Sequence, residues 1–250
     1  MIKFIIPFYY TFQYNRKGFE GLAYLLEYYV FSVVSYMVYS VFEVEFLSVI
    51  LLLVSTTLVY ELGYIHNNVF AIKTEKSPTI RHDKNELIYI EKNLKIIMLS
   101  RIFIFLSIIF YFFLIDIYTG VMILALSSLM LLTFYLYNIT RKGWKNRGLF
   151  FLLRFFRYCT VLILFGLDGC FIALIISIIN FINNLSWYKN RTKFSLPRFF
   201  GTKLFDSMAY LFISLLLYLN GNQMYLVFSY LAIIKIVLFT MKYIESRLNA

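Results

Sequence analysis

Read for the spacing of its apolar and polar positions, the chain resolves into long uncharged runs separated by polar connections. Stretches such as FLSIIFYFFLI (105–115) and VMILALSSLMLL (121–132) are apolar without the period-two alternation of a barrel strand. A bilayer core needs about 20 mostly apolar residues per helix. The pattern therefore predicts eight spans, at 22–42, 46–65, 97–115, 119–138, 150–167, 169–185, 204–220 and 223–241. The expected fold is all-α, a polytopic membrane helical bundle formed as one domain over residues 1–250. Long polar loops after the second and sixth spans suggest two four-helix units strung together.

Composition agrees with this pattern. With 61% hydrophobic and 15% charged residues, the chain has too little polar surface to cover a soluble globule. Charge placement then orients it. The connections after spans 1, 3, 5 and 7 carry Glu43, Glu45, Asp116, Asp168 and the neutral NGNQ, and all 24 Lys and Arg fall elsewhere. The positive-inside rule puts both termini and the long loops in the cytoplasm, with the protein in an inner or plasma membrane. A net charge of +11 is then the signature of a basic rim facing anionic headgroups, and no nucleic-acid partner is needed to explain it. The N-terminal MIKFIIPFYYTFQYNRKGF lacks a small-residue cleavage site and is expected to lie along the interface as an amphipathic entry segment. Cys159 and Cys170 form no CxxC and are expected near opposite ends of adjacent spans, with no disulfide or metal site.

Candidate chemistry concentrates where the second span ends, in YELGYIHNNVFAIKTEKSPTIR (60–81). Helical spacing puts Gly63, Asn67 and Ala71 on one face, with Glu75 two turns beyond Asn67. Amide and carboxylate oxygens are hard ligands suited to Mg²⁺, an ion commonly held by one or two carboxylates together with substrate phosphates. Lys73, Lys76 and Arg81 supply the complementary charge for phosphate. The same residues also describe an ordinary interfacial helix end, and the pattern alone leaves both readings open.

This stretch resembles the first Asp-rich motif of the UbiA-type intramembrane prenyltransferases, Asn-Asp-x-x-Asp-x-x-x-Asp at the end of their second helix. Asn67 matches the leading Asn, Asn68 stands where the first Asp belongs, Ala71 replaces the second, and Glu75 stands for the third. The family's second acidic motif follows its sixth helix. NFINNLSWYKNR falls there, with Asn180 and Asn184 at the Asp-x-x-x-Asp spacing and Lys189 and Arg191 beyond. After span 4, YLYNITRK is similar to the family's tyrosine-then-basic segment through Tyr137, Arg141 and Lys142. The resemblance covers nearly the whole chain, although the family usually has nine helices.

The resemblance implies a transferase acting on a polyprenyl phosphate or diphosphate at the cytoplasmic face, with Asn67 and Glu75 as catalytic residues. It also implies Mg²⁺ on Asn67, Asn68, Glu75, Asn180 and Asn184, and phosphate on Lys73, Arg81, Arg141, Lys142, Lys189 and Arg191. Amides in place of carboxylates remove negative charge, which favours transfer onto or from a polyprenyl phosphate over ring alkylation. A transporter of a lipid-linked substrate and a non-catalytic, lipid-binding or partner-docking relative stand as alternatives. The transporter reading expects spans broken near the midplane, and the three prolines all lie outside the predicted spans. Charges within spans, Glu27, Arg154, Arg157 and Lys235, each require a partner or a wet cavity. Snorkelling to the interface is expected for Arg154 and Arg157, and an ion pair with Glu27 is one option for Lys235.

Overall fold

The computed structural model describes residues 2–11, 18–39, 46–70, 84–140, 143–187 and 202–248. All regular structure among them is helical. In chain order the helices are α1 (Ile2–Ile5), α2 (Gly18–Tyr24), α3 (Phe31–Tyr39), α4 (Phe46–Val69), α5 (Lys84–Ile115), α6 (Ile117–Thr140), α7 (Gly143–Val161), α8 (Gly166–Trp187), α9 (Lys203–Leu219) and α10 (Tyr225–Leu248). A π-helical turn, Leu25–Val30, joins α2 to α3 without a break, and a short 3₁₀ turn, Ile163–Phe165, precedes α8.

Six stretches among the described residues are long and apolar enough to cross a membrane: Gly21–Val38, Phe46–Val69, Asn85–Ile115, Ile117–Thr140, Ile163–Asn183 and Tyr225–Ile244. These support an integral membrane helical bundle. The spans predicted at 150–167 and 204–220 correspond to α7 and α9. On composition and length alone neither reaches that standard: α7 carries Lys145, Arg147, Arg154 and Arg157, and α9 has 17 residues.

Two compact units divide the chain, Met1–Gly21 with Phe46–Leu174 and Leu22–Glu45 with Ile175–Ala250. The sequence suggests a division between the fourth and fifth spans, and the packing divides it otherwise. Short connections pair α6 with α7 and α9 with α10, whereas α3 packs on α10 from the far end of the chain. Leu174 and Ile175 are consecutive in α8, so that helix contributes to both units.

Within the first unit, α4 is the most deeply buried of the apolar helices, as expected for a segment that is apolar all round. Its hydroxyls stay inside by bonding their own helix: Thr56 and Thr57 donate to the carbonyls of Leu52 and Leu53, each at 2.7 Å. Helix α5 is two-faced instead. Ile97, Arg101, Phe105, Ile108 and Phe112 are buried, and Leu99, Phe103, Leu106, Phe110 and Leu114 form an exposed apolar stripe of the kind that faces lipid.

The start of the chain does not lie on a surface as expected. Phe4 and Tyr10 are fully buried in a cluster with Ile65, Val69, Ile90 and Ile97, on α4 and α5. Phe8 turns the segment back at φ 74°, a left-handed conformation that costs a bulky residue about 1–3 kcal/mol and persists only where surrounding contacts impose it.

Helix ends follow local chemistry. Asp116, between α5 and α6, accepts from the Tyr118 amide at 3.2 Å, the Thr119 amide at 2.9 Å and the Thr119 hydroxyl at 2.6 Å, which caps α6. Gly221, at φ 68°, ends α9 in the left-handed cap that a residue without Cβ adopts at least cost. The two cysteines are a correction. Because α7 stops at Val161 and the chain turns at once into α8, Cys159 and Cys170 flank one corner rather than sitting at opposite ends. Both are reduced.

The Asp116 cap carries a pH signature. The Thr119 hydroxyl, then the Thr119 and Tyr118 amides, hold its carboxyl below the ordinary value. A lowered folded value means the cap's full contribution is present above the unfolded value of about 4 and is lost as pH falls through the folded one. Thermal unfolding of the detergent-solubilised protein against pH should show Asp116→Asn less stable than the parent at neutral pH. The gap should close as the solution is acidified below about pH 4, and a gap constant across that range would remove Asp116 from the cap.

Candidate functional site

The last turn of α4 carries two of the residues that the sequence singles out, Asn67 and Asn68. Asn68 is buried, and its Nδ2 donates to the Tyr10 hydroxyl at 2.7 Å, so the folded-back N-terminal segment orients the amide. Asn67 is half-buried on the adjoining face. One turn earlier, Asn138 of α6 places its Nδ2 3.4 Å from the Gly63 carbonyl and 3.4 Å from His66 Nδ1. Gly63 is required by close approach: a Cβ there would meet the Phe134 ring at 2.4 Å. Phe134 thereby reaches the rings of Tyr60 and Tyr64 edge-on, with centroids 5.1 and 5.5 Å away.

On another face of α4, Glu61 is fully buried. Its Oε2 accepts from Arg101 Nη1 of α5 at 2.6 Å and its Oε1 from the Thr11 amide at 2.6 Å, and Arg101 Nε donates to the Phe4 carbonyl at 2.8 Å. This salt bridge lies about 22 Å from the Phe46 end of α4 at 1.5 Å per residue. Glu61 is therefore held in a structural pair.

Arg157 of α7 does not reach outward to the interface as expected. Arg157 is 2% exposed, with its guanidinium 4.3 Å from the Tyr60 ring centroid, and Arg147 is also buried. Arg154 lies 5.0 Å from the Phe150 centroid. Helix α7 packs against α4 and α6, so the side chains follow the bundle interior.

The second unit holds its own charge cluster. Lys235 donates to Glu27 Oε2 at 2.9 Å and to Asp206 Oδ2 at 3.0 Å, and Lys203 donates to Glu27 Oε1. Asn183 Nδ2 donates to both Asp206 oxygens, at 2.9 and 2.8 Å. Two ammoniums and two carboxylates balance, as groups at membrane depth require. The expected Glu27–Lys235 pair is present, and Glu27 sits on the π-helical turn, an irregularity that concentrates at functional positions.

Of the second motif, Asn180 belongs to the second unit, and its Nδ2 donates to the Ile176 carbonyl of its own helix at 2.8 Å. Asn184 lies in α8, and its side chain is outside the described residues. Lys73, Glu75, Arg81, Arg141, Lys142, Lys189 and Arg191 also lie outside the described residues. Among the described residues no group of three His, Cys, Asp or Glu is placed to hold a metal ion.

Sequence reasoning overlooked Arg101, Lys203, Asp206 and Asn183. Arg101 had a signal, since it interrupts the apolar run IIMLSRIFIFL. Asp206 did not stand out, because a carboxylate in the first turn of a helix is ordinary. No protein-family model matches the chain, and no curated protein or solved structure matches it.

Two stability predictions follow from the buried charges. Arg101→Met should destabilise the first unit by about 3–5 kcal/mol by stranding Glu61, and Glu61→Leu combined with it should recover much of the loss, as judged by unfolding in mixed micelles. In the second unit, Lys235→Met should be far more damaging than Lys203→Met, because Lys203 is a third exposed and water can replace it. Equal losses in that pair of variants would contradict the cluster's geometry.

Proposed function

We propose that this chain is a UbiA-like membrane transferase of eight spanning helices, acting on a polyprenyl phosphate or diphosphate at the cytoplasmic face, with both termini cytoplasmic. The observation that carries the reading is the end of α4, where the motif residues Asn67 and Asn68 occupy the last turn of a deeply buried helix. Two turns below them stand the Tyr60, Tyr64 and Phe134 rings. Phosphate-compatible amides above an aromatic wall match an amphiphile with an anionic head and an isoprenoid tail.

On this reading the chain's own groups bind and orient. Lys73, Arg81, Arg141, Lys142, Lys189 and Arg191 hold the phosphate oxygens as charge-assisted donors. Asn67, Asn68 and Glu75 would hold one Mg²⁺, and the amides Asn180 and Asn184 of the second motif are of the same hard-ligand type. The ion, when bound, supplies Lewis acidity toward a departing diphosphate. With few carboxylates and many bases, the site suits a lipid phosphate oxygen as nucleophile. That oxygen forms a bond to the anomeric carbon of an activated sugar while the bond to a diphosphate leaving group breaks. A second reading, transport of a lipid-linked substrate, is favoured by the π-helical turn that carries Glu27 in the first span.

Purified protein should bind polyprenyl phosphate and polyprenyl diphosphate more tightly with Mg²⁺ than without. Glu75→Ala and Asn67→Ala should each lower that affinity at least about tenfold, the loss of roughly one charge-assisted contact. Absence of binding, or binding indifferent to metal and to both substitutions, would remove the transferase reading. Movement of a labelled polyprenyl phosphate across proteoliposomes would put the transporter ahead.

A further inference from the structure

The first span is irregular where neighbouring helices grip it. In the π-helical turn Leu25–Val30 the Phe31 amide reaches back five residues to the Leu26 carbonyl, and the Tyr230 hydroxyl of α10 donates to that same carbonyl at 3.2 Å. Glu27, on the same turn, accepts from Lys203 of α9 and from Lys235 of α10. A π turn is rare and holds one residue more than an α turn, so it persists where its surroundings impose it. Here two other helices take hold of it through a carboxylate and a carbonyl. All of these residues belong to the second unit.

The charges are arranged so that one of them can be cancelled without stranding another. With Glu27 neutral, the buried Lys235 keeps Asp206 at 3.0 Å, and Lys203, 31% exposed at the first position of α9, is left to water. Asp206 is sealed, at 1% exposure and with both oxygens held by Asn183 of α8. Glu27 is 16% exposed beside Lys203, and it is the carboxylate of the pair that a proton can reach. The other titratable groups around it are tyrosines: Tyr210 one turn beyond Asp206, Tyr230 on α10 and Tyr28 on the turn itself. Neither α3, FSVVSYMVY, nor the α8 stretch 175–187 brings a charged residue.

We propose that the π-helical turn of the first span is a register switch, latched by Lys203, Lys235 and Tyr230, and that a proton taken up by Glu27 releases it. The proton comes from water and forms an O–H bond on a Glu27 oxygen, and both ammoniums keep their own protons. Losing the turn's extra residue carries the residues at its start round the helix axis by about 100° relative to α3. Leu25 opens the turn and is exposed. On a helix about 10–12 Å across, that rotation displaces its side chain by about 8 Å. The switch goes beyond the transferase reading and does not depend on it.

The test measures distances between spin labels on the full chain in detergent, from Leu25→Cys to Ile233→Cys on α10 and, separately, to Met208→Cys on α9. All three sites are exposed, and Cys159 and Cys170 are replaced by serine. This labelled parent is compared with Glu27→Gln and Lys203→Met from neutral to acidic pH. In Glu27→Gln at neutral pH at least one of the two distances should shift by about 5 Å or more. Acid should bring the parent to the same distances and leave Glu27→Gln where it is. Lys203→Met, which removes one of the two cations on Glu27, should release at a pH about one unit or more less acidic than the parent. Parent-like distances in Glu27→Gln at neutral pH would overturn the latch. An acid transition that persists in Glu27→Gln would assign the proton to another group, and a parent that holds its distances until it unfolds would remove the proton altogether; either overturns the proposal. A distribution that broadens about an unchanged mean, the mark of simple loosening, would overturn the register switch. Should Glu27→Gln fail to fold, the parent and Lys203→Met carry the test: a transition displaced between them supports the proposal, and one that is absent or undisplaced overturns it.

Discussion

A carboxylate and a guanidinium meeting at 2.6 Å with no exposed surface, Glu61 and Arg101, set the terms for the first unit. Neither could remain charged at that depth alone, so the pair obliges α4 and α5 to sit in one register. It also recruits the start of the chain. The Thr11 amide takes one Glu61 oxygen and the Phe4 carbonyl takes the Arg101 Nε–H, so residues far apart in sequence close one polar network. That network accounts for the strained backbone at Phe8, which folds the segment back onto α4 and brings Tyr10 to Asn68.

Helix α4 consequently has two occupations. One face, through Glu61, Ile65 and Asn68, is taken up by the N-terminal segment and α5. Another, through Tyr60, Gly63 and Tyr64, meets α6 and α7 with rings, an amide and a guanidinium. Because both faces are fixed by polar contacts, the last turn is held from two sides. A helix end held so is a better platform for binding than one that frays.

Much of this fold was legible in the sequence because apolar length is a local signal. The apolar stripe of α5 could be read at helical spacing before any coordinates. What failed was pairing. Burial of Phe4 and Tyr10 depends on hydrogen bonds to Glu61 and Arg101, which are long-range and leave no trace in the hydropathy of the first residues. Snorkelling was the reasonable expectation for Arg154 and Arg157, because a long side chain near a helix end usually finds water. For Arg157 the Tyr60 ring changed that balance, and only packing reveals which rings are in reach. For the motif itself, the sequence placed Asn67 and Asn68 at a helix end, but it could not show that Tyr10 orients Asn68 or that Glu61 is occupied.

The two buried charge clusters are held differently. In the second unit, Lys235 sits between Glu27 and Asp206 while Lys203 closes on Glu27, so two positive and two negative groups cancel within one set of contacts. In the first unit, Glu61 and Arg101 cancel each other, and on α7 the guanidinium groups of Arg154 and Arg157 lie against the rings of Phe150 and Tyr60. Ion pairs fix the second unit's helices by charge, whereas a guanidinium laid on a ring also depends on the shape of the aromatic wall beside it.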